Sequence, residues 1–167
     1  MYRREFIRRL GAAAFLSSGN LIQREDLGTV PDFTLPDLQG KSLRLSEFKQ
    51  QVVLLDFWAT WCGPCIKQIP ELNALHTKYE TQGLAVISVA LDSGSVKNIR
   101  EKAAKFQIAY PVLIGTSAVR NNFRVAAFPT TLLISKSWRI HKKYLGFRSG
   151  EKSIERDIQV MLSRGDR

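Results

Sequence analysis

Two cysteines stand three positions apart in Trp61-Cys62-Gly63-Pro64-Cys65, and they are the only two in the chain. The apolar run Val52–Trp58 precedes them and a helical pattern follows. Two thiols at this spacing at a helix start can close a tight disulfide. The first thiol then sits at the helix N-terminus, where backbone N–H groups and the macrodipole favour an anion. That placement lowers a thiol pKa below the free value of about 8.5 and makes Cys62 the expected nucleophile. Cys65, one turn deeper, is the expected resolving thiol. A disulfide scaffold would need more cysteines, and a structural zinc site two more ligands. His76 and His141 lie at ligand spacing neither from each other nor from the cysteines.

A third group belongs with the pair. Asp56 interrupts Val-Val-Leu-Leu-Asp-Phe-Trp, and a carboxylate in such a run is costly unless it is paired or protonated. Asp56 is therefore a candidate proton acceptor for Cys65. The competing reading is a strand position that reaches solvent. Trp58 and Trp61 flank the motif, with Trp58 expected in the core and Trp61 on a substrate-facing surface.

The elements that must hold these residues follow from periodicity. Residues 33–45 alternate around Gly40 and predict a β-hairpin. Val52–Trp58 is a strand buried on both faces. A helix follows over about residues 62–82, with Pro70 inside it and Gly83 at its C-cap. Residues 84–91 predict a second buried strand, and about 95–106 an amphipathic helix. Short strands at 111–114 and 130–134 flank a small helix at 118–123. An edge strand at 138–145 leads to a final helix through Ile154, Ile158, Met161 and Leu162. This order implies an α/β fold, with a mixed central sheet and helices on both faces.

The run Leu55-Asp-Phe-Trp-Ala-Thr-Trp-Cys-Gly-Pro-Cys65, with Pro70 in the helix and Phe128-Pro129-Thr130 downstream, resembles the thioredoxin superfamily. The front hairpin, the inserted strand-helix unit at about 86–114 and the Pro-Thr-Thr-Leu-Leu-Ile strand resemble its TlpA/ResA-like branch. That branch comprises extracytoplasmic, often membrane-tethered reductants of protein disulfides. The likeness covers about residues 30–162. It implies a thioredoxin fold and thiol-disulfide oxidoreductase activity with no cofactor. Protein disulfides would be the substrates, and a membrane or extracytoplasmic partner the electron donor. Pro129, on sequence alone a strand-entry proline, matches the family's cis-proline beside the disulfide. Trp61, Gly63, Pro64, Phe128 and Pro129 are then the implied substrate-binding surface, and Asp56 matches thioredoxin's buried aspartate. The chain also departs from the pattern. Ser88 stands where thioredoxin has a lysine, Gln68 where many ResA-like proteins have a glutamate, and Ser135-Lys-Ser-Trp138 where an Asp-x-x-Gly turn is common.

Length and charge set the remaining expectations. The chain has 167 residues, 44% hydrophobic and 24% charged, enough for one domain with a terminal appendage. The net charge is +10, and Arg3, Arg4, Arg8 and Arg9 contribute to it at the N-terminus. No nucleic-acid module accompanies this charge, which reads instead as a solvated surface favouring acidic partners or anionic membranes. Residues 1–20 have the order of an export signal, with Arg3-Arg4-x-Phe6-Ile7 resembling the twin-arginine type and Ser17-x-Gly19 as the best cleavage pair. The competing reading is a frayed basic tail. Residues 21–29 read as a linker, and 30–167 as the thioredoxin-like domain of a monomer that can associate peripherally with membranes. An oxidant or isomerase is the alternative direction for the same chemistry. The peroxidase pattern Pro-x-x-x-Thr-x-x-Cys is not met, since Thr60 is two before Cys62 and no proline precedes. A Cu(I)-handling role, which resembles Cys-x-x-x-Cys plus a distant His, finds the cysteines one residue too close.

Overall fold

The computed structural model describes residues 28–150 and 152–163. Residues 1–20, read above as an export signal, and residues 21–27 of the expected linker lie outside the described residues. β1 (Thr34–Pro36) and β2 (Ser42–Arg44) form an antiparallel hairpin. β3 (Val52–Trp58), β4 (Leu84–Ala90), β5 (Val112–Ile114), β6 (Thr130–Ile134) and β7 (Ile140–Leu145) form one sheet in the order β5-β4-β3-β6-β7. β3, β4 and β5 run parallel, while β6 and β7 are antiparallel to their neighbours. The helices are α1 (Gly63–Tyr79), α2 (Val96–Lys105), α3 (Ser117–Asn122) and α4 (Ser153–Ser163).

β3 is central, and every one of its residues is buried, which is why it reads as an apolar run broken only by Asp56. Its odd-numbered side chains Val53, Leu55 and Phe57 pack with Phe33, Leu35 and Leu45 of the hairpin region and with Val119 and Phe123 of the α3 region. Its even-numbered Val52 and Leu54 pack with Leu72, Leu75 and Tyr79 of α1 and with Ile154, Ile158 and Met161 of α4. Trp58 packs with Ile99 and Ala103 of α2. Helices thus cover both faces as expected, but on the α3 side the hairpin supplies much of the cover.

Several boundaries have local causes. Pro70 cannot give the Ile66 carbonyl its helical hydrogen, yet α1 continues through it. The last turn of that helix tightens to a 3-10 turn over Glu80–Gln82 and stops at Gly83, whose φ of 96° suits glycine. Ser95 and Thr116 cap α2 and α3 by accepting from Asn98 N–H and Val119 N–H. β7 begins at Ile140, two residues later than expected from Trp138. Trp138 instead closes the turn after β6 with a φ of 63°, its N–H on the Ser135 carbonyl at 3.0 Å. Its ring packs against the core and lies under the Lys49 ammonium at 5.5 Å. Gly28 and Thr29 pair with Ile140 and Arg139 where the linker meets the domain.

Candidate active site

β3 ends at Trp58 and α1 begins at Gly63, so four residues turn the chain from the sheet into the helix. Cys62 is the N-cap, and its sulfur accepts from the Cys65 N–H at 3.2 Å. Pro64, in the first turn, has no N–H to offer, which leaves the Cys65 amide as the capping donor. The two sulfurs are joined as a disulfide, 2.08 Å apart. In this form Cys62 is 4% and Cys65 3% exposed. Exposure therefore does not distinguish the thiols; the position on the helix does. Gly63 and Pro64 are exposed beside them, and a Cβ built on Gly63 would meet nothing within 4 Å.

The surface around the disulfide is aromatic. Trp61 is 66% exposed, and its ring meets Phe128 edge-on at 5.8 Å. Phe128 packs against the cluster that holds both cysteines, and the Phe128–Pro129 bond is cis. The Pro129 carbonyl accepts from Gly146 N–H at 2.8 Å, which ties the residue before β6 to the end of β7. The structure thus gathers Trp61, Gly63, Pro64 and Phe128 beside the pair at one end of the sheet, while Pro129 is buried just ahead of β6 at that end. Trp58, 2% exposed, packs beneath the disulfide instead.

Asp56 lies below this surface, 3% exposed. In register it sits opposite Ser88 of β4 on one side and Thr131 of β6 on the other. Burial pushes its carboxyl pKa up to about 7, opposed only by the hydrogen bond from Thr131. The Thr131 hydroxyl donates to Asp56 Oδ1 at 2.8 Å and receives the Gln68 amide at 3.1 Å. Ser88 brings no charge, and its hydroxyl donates to the Pro111 carbonyl at 3.3 Å. His76 lies elsewhere, beside Glu80 at 3.2 Å.

Sequence reasoning missed the groups that hold the turn. Thr60 N–H donates to Ser93 Oγ at 3.0 Å, and Asn98 Nδ2 bridges Thr60 Oγ1 and the Ser93 carbonyl at 3.0 and 2.8 Å. The Trp61 indole N–H donates to the Asp92 carbonyl at 2.8 Å. Arg120 pairs with the Asp92 carboxylate, and its guanidinium lies 5.7 Å over the Phe128 ring. These residues come from separate segments, and no local pattern marks them. Thr131 was not singled out either, since the Thr-Thr-Leu-Leu-Ile strand is buried throughout and shows no alternation that would mark it.

A model of the AhpC/TSA family matches residues 28–143. The chain is 35% identical over 124 residues to the thiol-disulfide oxidoreductase ResA of Geobacillus thermodenitrificans, covering 74% of this chain and 71% of that protein. It is 32% identical over 132 residues to the thioredoxin-like protein YneN of Bacillus subtilis, covering 78% and 76%. Among solved structures, a Chlorobium tepidum protein provisionally designated thiol:disulfide interchange protein DsbE superposes with a TM-score of 0.78 at 30% identity. That match covers 83% of this chain and 99% of the other. With the Cys62–Cys65 disulfide, these likenesses make the chain a thioredoxin-like thiol-disulfide oxidoreductase, and it belongs to the AhpC/TSA family.

Proposed function

We propose that the protein reduces disulfides in proteins outside the cytoplasm. The Cys62 thiolate attacks one sulfur of a substrate disulfide, forming a mixed disulfide and releasing the other substrate sulfur as a thiolate. Cys65 then gives its proton to the Asp56 carboxylate and attacks Cys62. The second substrate thiolate leaves, and the Cys62–Cys65 disulfide remains. Two electrons pass to the substrate, so a dithiol donor in the membrane or envelope must reduce the pair again.

The observation that carries this reading is Cys62 at the N-cap of α1, with the Cys65 N–H on its sulfur. A thiolate is stabilised there and not one turn deeper. The exposed Trp61 and its neighbour Phe128 support an extended polypeptide as the partner. Arg3-Arg4 and the apolar residues behind them support export by a twin-arginine signal. Among the described residues no helix is long and apolar enough to cross a membrane. The net charge of +10 supports peripheral association with anionic lipid, the protein acting as a monomer.

Trapping tests the reaction. Reduced Cys65→Ser protein mixed with a disulfide-bonded test protein should accumulate a covalent adduct through Cys62. Reduced Cys62→Ser should accumulate none. Adducts forming equally through either cysteine would overturn the assignment.

A further inference from the structure

Gln68 lies one turn beyond Cys65 on α1 and is 1% exposed. Its Nε2 donates to Thr131 Oγ1 at 3.1 Å, and Thr131 passes a hydrogen bond to Asp56 Oδ1 at 2.8 Å. No donor among the described residues reaches its buried Oε1. The residue also lines a cavity of about 180 Å³ with Glu71, Tyr144, Phe147 and Arg148, roomy enough for water.

A threonine hydroxyl carries one proton, so its hydrogen bonds have a direction. When Asp56 is ionised it can only accept, and Thr131 must donate to it. The Thr131 oxygen is then free to accept, and Gln68 Nε2 supplies the donor. When Asp56 is protonated its acid hydrogen can donate to Thr131. Thr131 then needs an acceptor behind it, which Gln68 provides by turning its amide over and presenting Oε1. The terminal torsion of glutamine is soft enough for that turn. A carboxylate at position 68 could only accept, and would compete with Asp56 for the single Thr131 proton.

We propose that Gln68 is a positioning residue whose reversible amide sets the direction of the Thr131 hydroxyl, so that Asp56 can both hold and release the proton taken from Cys65. This rests on the reading of Asp56 as the Cys65 base. Few charged groups surround the chain of contacts. Tyr110, ahead of β5, is pushed above its ordinary value by burial and then by the Asp56 charge. Cys65 lies one turn before Gln68 on α1, Ser88 faces Asp56 from β4 and is neutral, and Glu71, Tyr144 and Arg148 line the cavity at the Gln68 end.

The test follows the Asp56 carboxyl by carbon NMR and the Gln68 side-chain amide by nitrogen NMR, both against pH in the oxidised full chain. In the wild type the two signals should move with one midpoint. Gln68→Glu, nearly isosteric, should raise the Asp56 midpoint by about one unit or more. Resolution of the mixed disulfide at pH 7 should slow about tenfold and recover at higher pH. Gln68→Met should raise the midpoint by less. A Gln68 amide that stays flat through the Asp56 midpoint, or an unmoved Asp56 midpoint in Gln68→Glu, would overturn the proposal. Unchanged resolution in Asp56→Asn would instead remove the base reading, whatever the NMR coupling shows.

Discussion

Asp56 and Thr131 sit directly opposite each other on β3 and β6, and the Thr131 hydroxyl donates to the Asp56 carboxylate at 2.8 Å. This one neutral donor opposes the burial that pushes the carboxyl up to about 7. A lysine facing it would pull the carboxyl pKa back down; Ser88 stands opposite instead and brings no charge to offset the burial.

That shift costs stability. In the unfolded chain an aspartate ionises near about 3.9, whereas in the fold Asp56 does so at about 7. The folded protein thus loses stability as pH rises from the lower value through the higher, by up to about 4 kcal/mol, and the loss is complete above it. Asp56→Asn should therefore stabilise the oxidised protein strongly at pH 8 and hardly at all near pH 4. Denaturant unfolding at the two pH values measures this, and an equal effect at both would show that Asp56 is not desolvated.

The same substitution should slow resolution by Cys65, by about 100-fold near pH 7, as removal of a general base does. The defect should shrink as rising pH deprotonates Cys65 directly. Stopped-flow decay of a preformed mixed disulfide reads this step apart from the first attack. A pH-independent defect would point to packing and not to proton transfer.

In the reduced protein the two thiols should differ in reactivity. Cys62 at the helix N-cap should be alkylated by iodoacetamide at least about tenfold faster than Cys65 near neutral pH. Peptide mass analysis after short labelling decides it, and faster loss of Cys65 would reverse the roles.

Trp61 offers its face to solvent while its indole N–H is fixed on the Asp92 carbonyl. Trp61→Ala should change stability by less than about 1 kcal/mol, because the residue is exposed. Turnover of a protein disulfide should fall several-fold, as loss of an aromatic anchor would cause, while turnover of a small aromatic disulfide stays near normal. Equal losses on both substrates would mean that Trp61 shapes the cysteine turn and does not bind the partner.

The export reading lies in residues 1–20 and has its own test. Replacing Arg3 and Arg4 together by lysine should retain the protein in the cytoplasm. Unchanged fractionation with the envelope would exclude the twin-arginine route.

How much was legible in the sequence follows from where each residue finds its partners. β3 and β6 begin and end at the expected residues because their apolar runs are set by burial on both faces. Cys62, Cys65 and the turn that carries them are local, and so are legible. The edge strand β7 was not placed as well, since Trp138 takes a left-handed turn conformation that its ring packing stabilises. The Thr60–Ser93–Asn98 bridge and the Arg120–Asp92 pair join segments about thirty residues apart. Such contacts depend on the closed fold, and no periodicity announces them. Gln68 could be seen only as a departure from a pattern; its link to Asp56 through Thr131 needed three elements in place.

The most direct test is the reduction potential of the Cys62–Cys65 pair, measured by equilibration with glutathione or dithiothreitol buffers. A Gly-Pro between the cysteines, as in thioredoxin at about −270 mV, predicts a value well below about −200 mV. A strong oxidant lies near about −120 mV, a gap from thioredoxin of about 7 kcal/mol for two electrons. A potential on the thioredoxin side agrees with a reductant of protein disulfides, and one near the strong oxidants would contradict it.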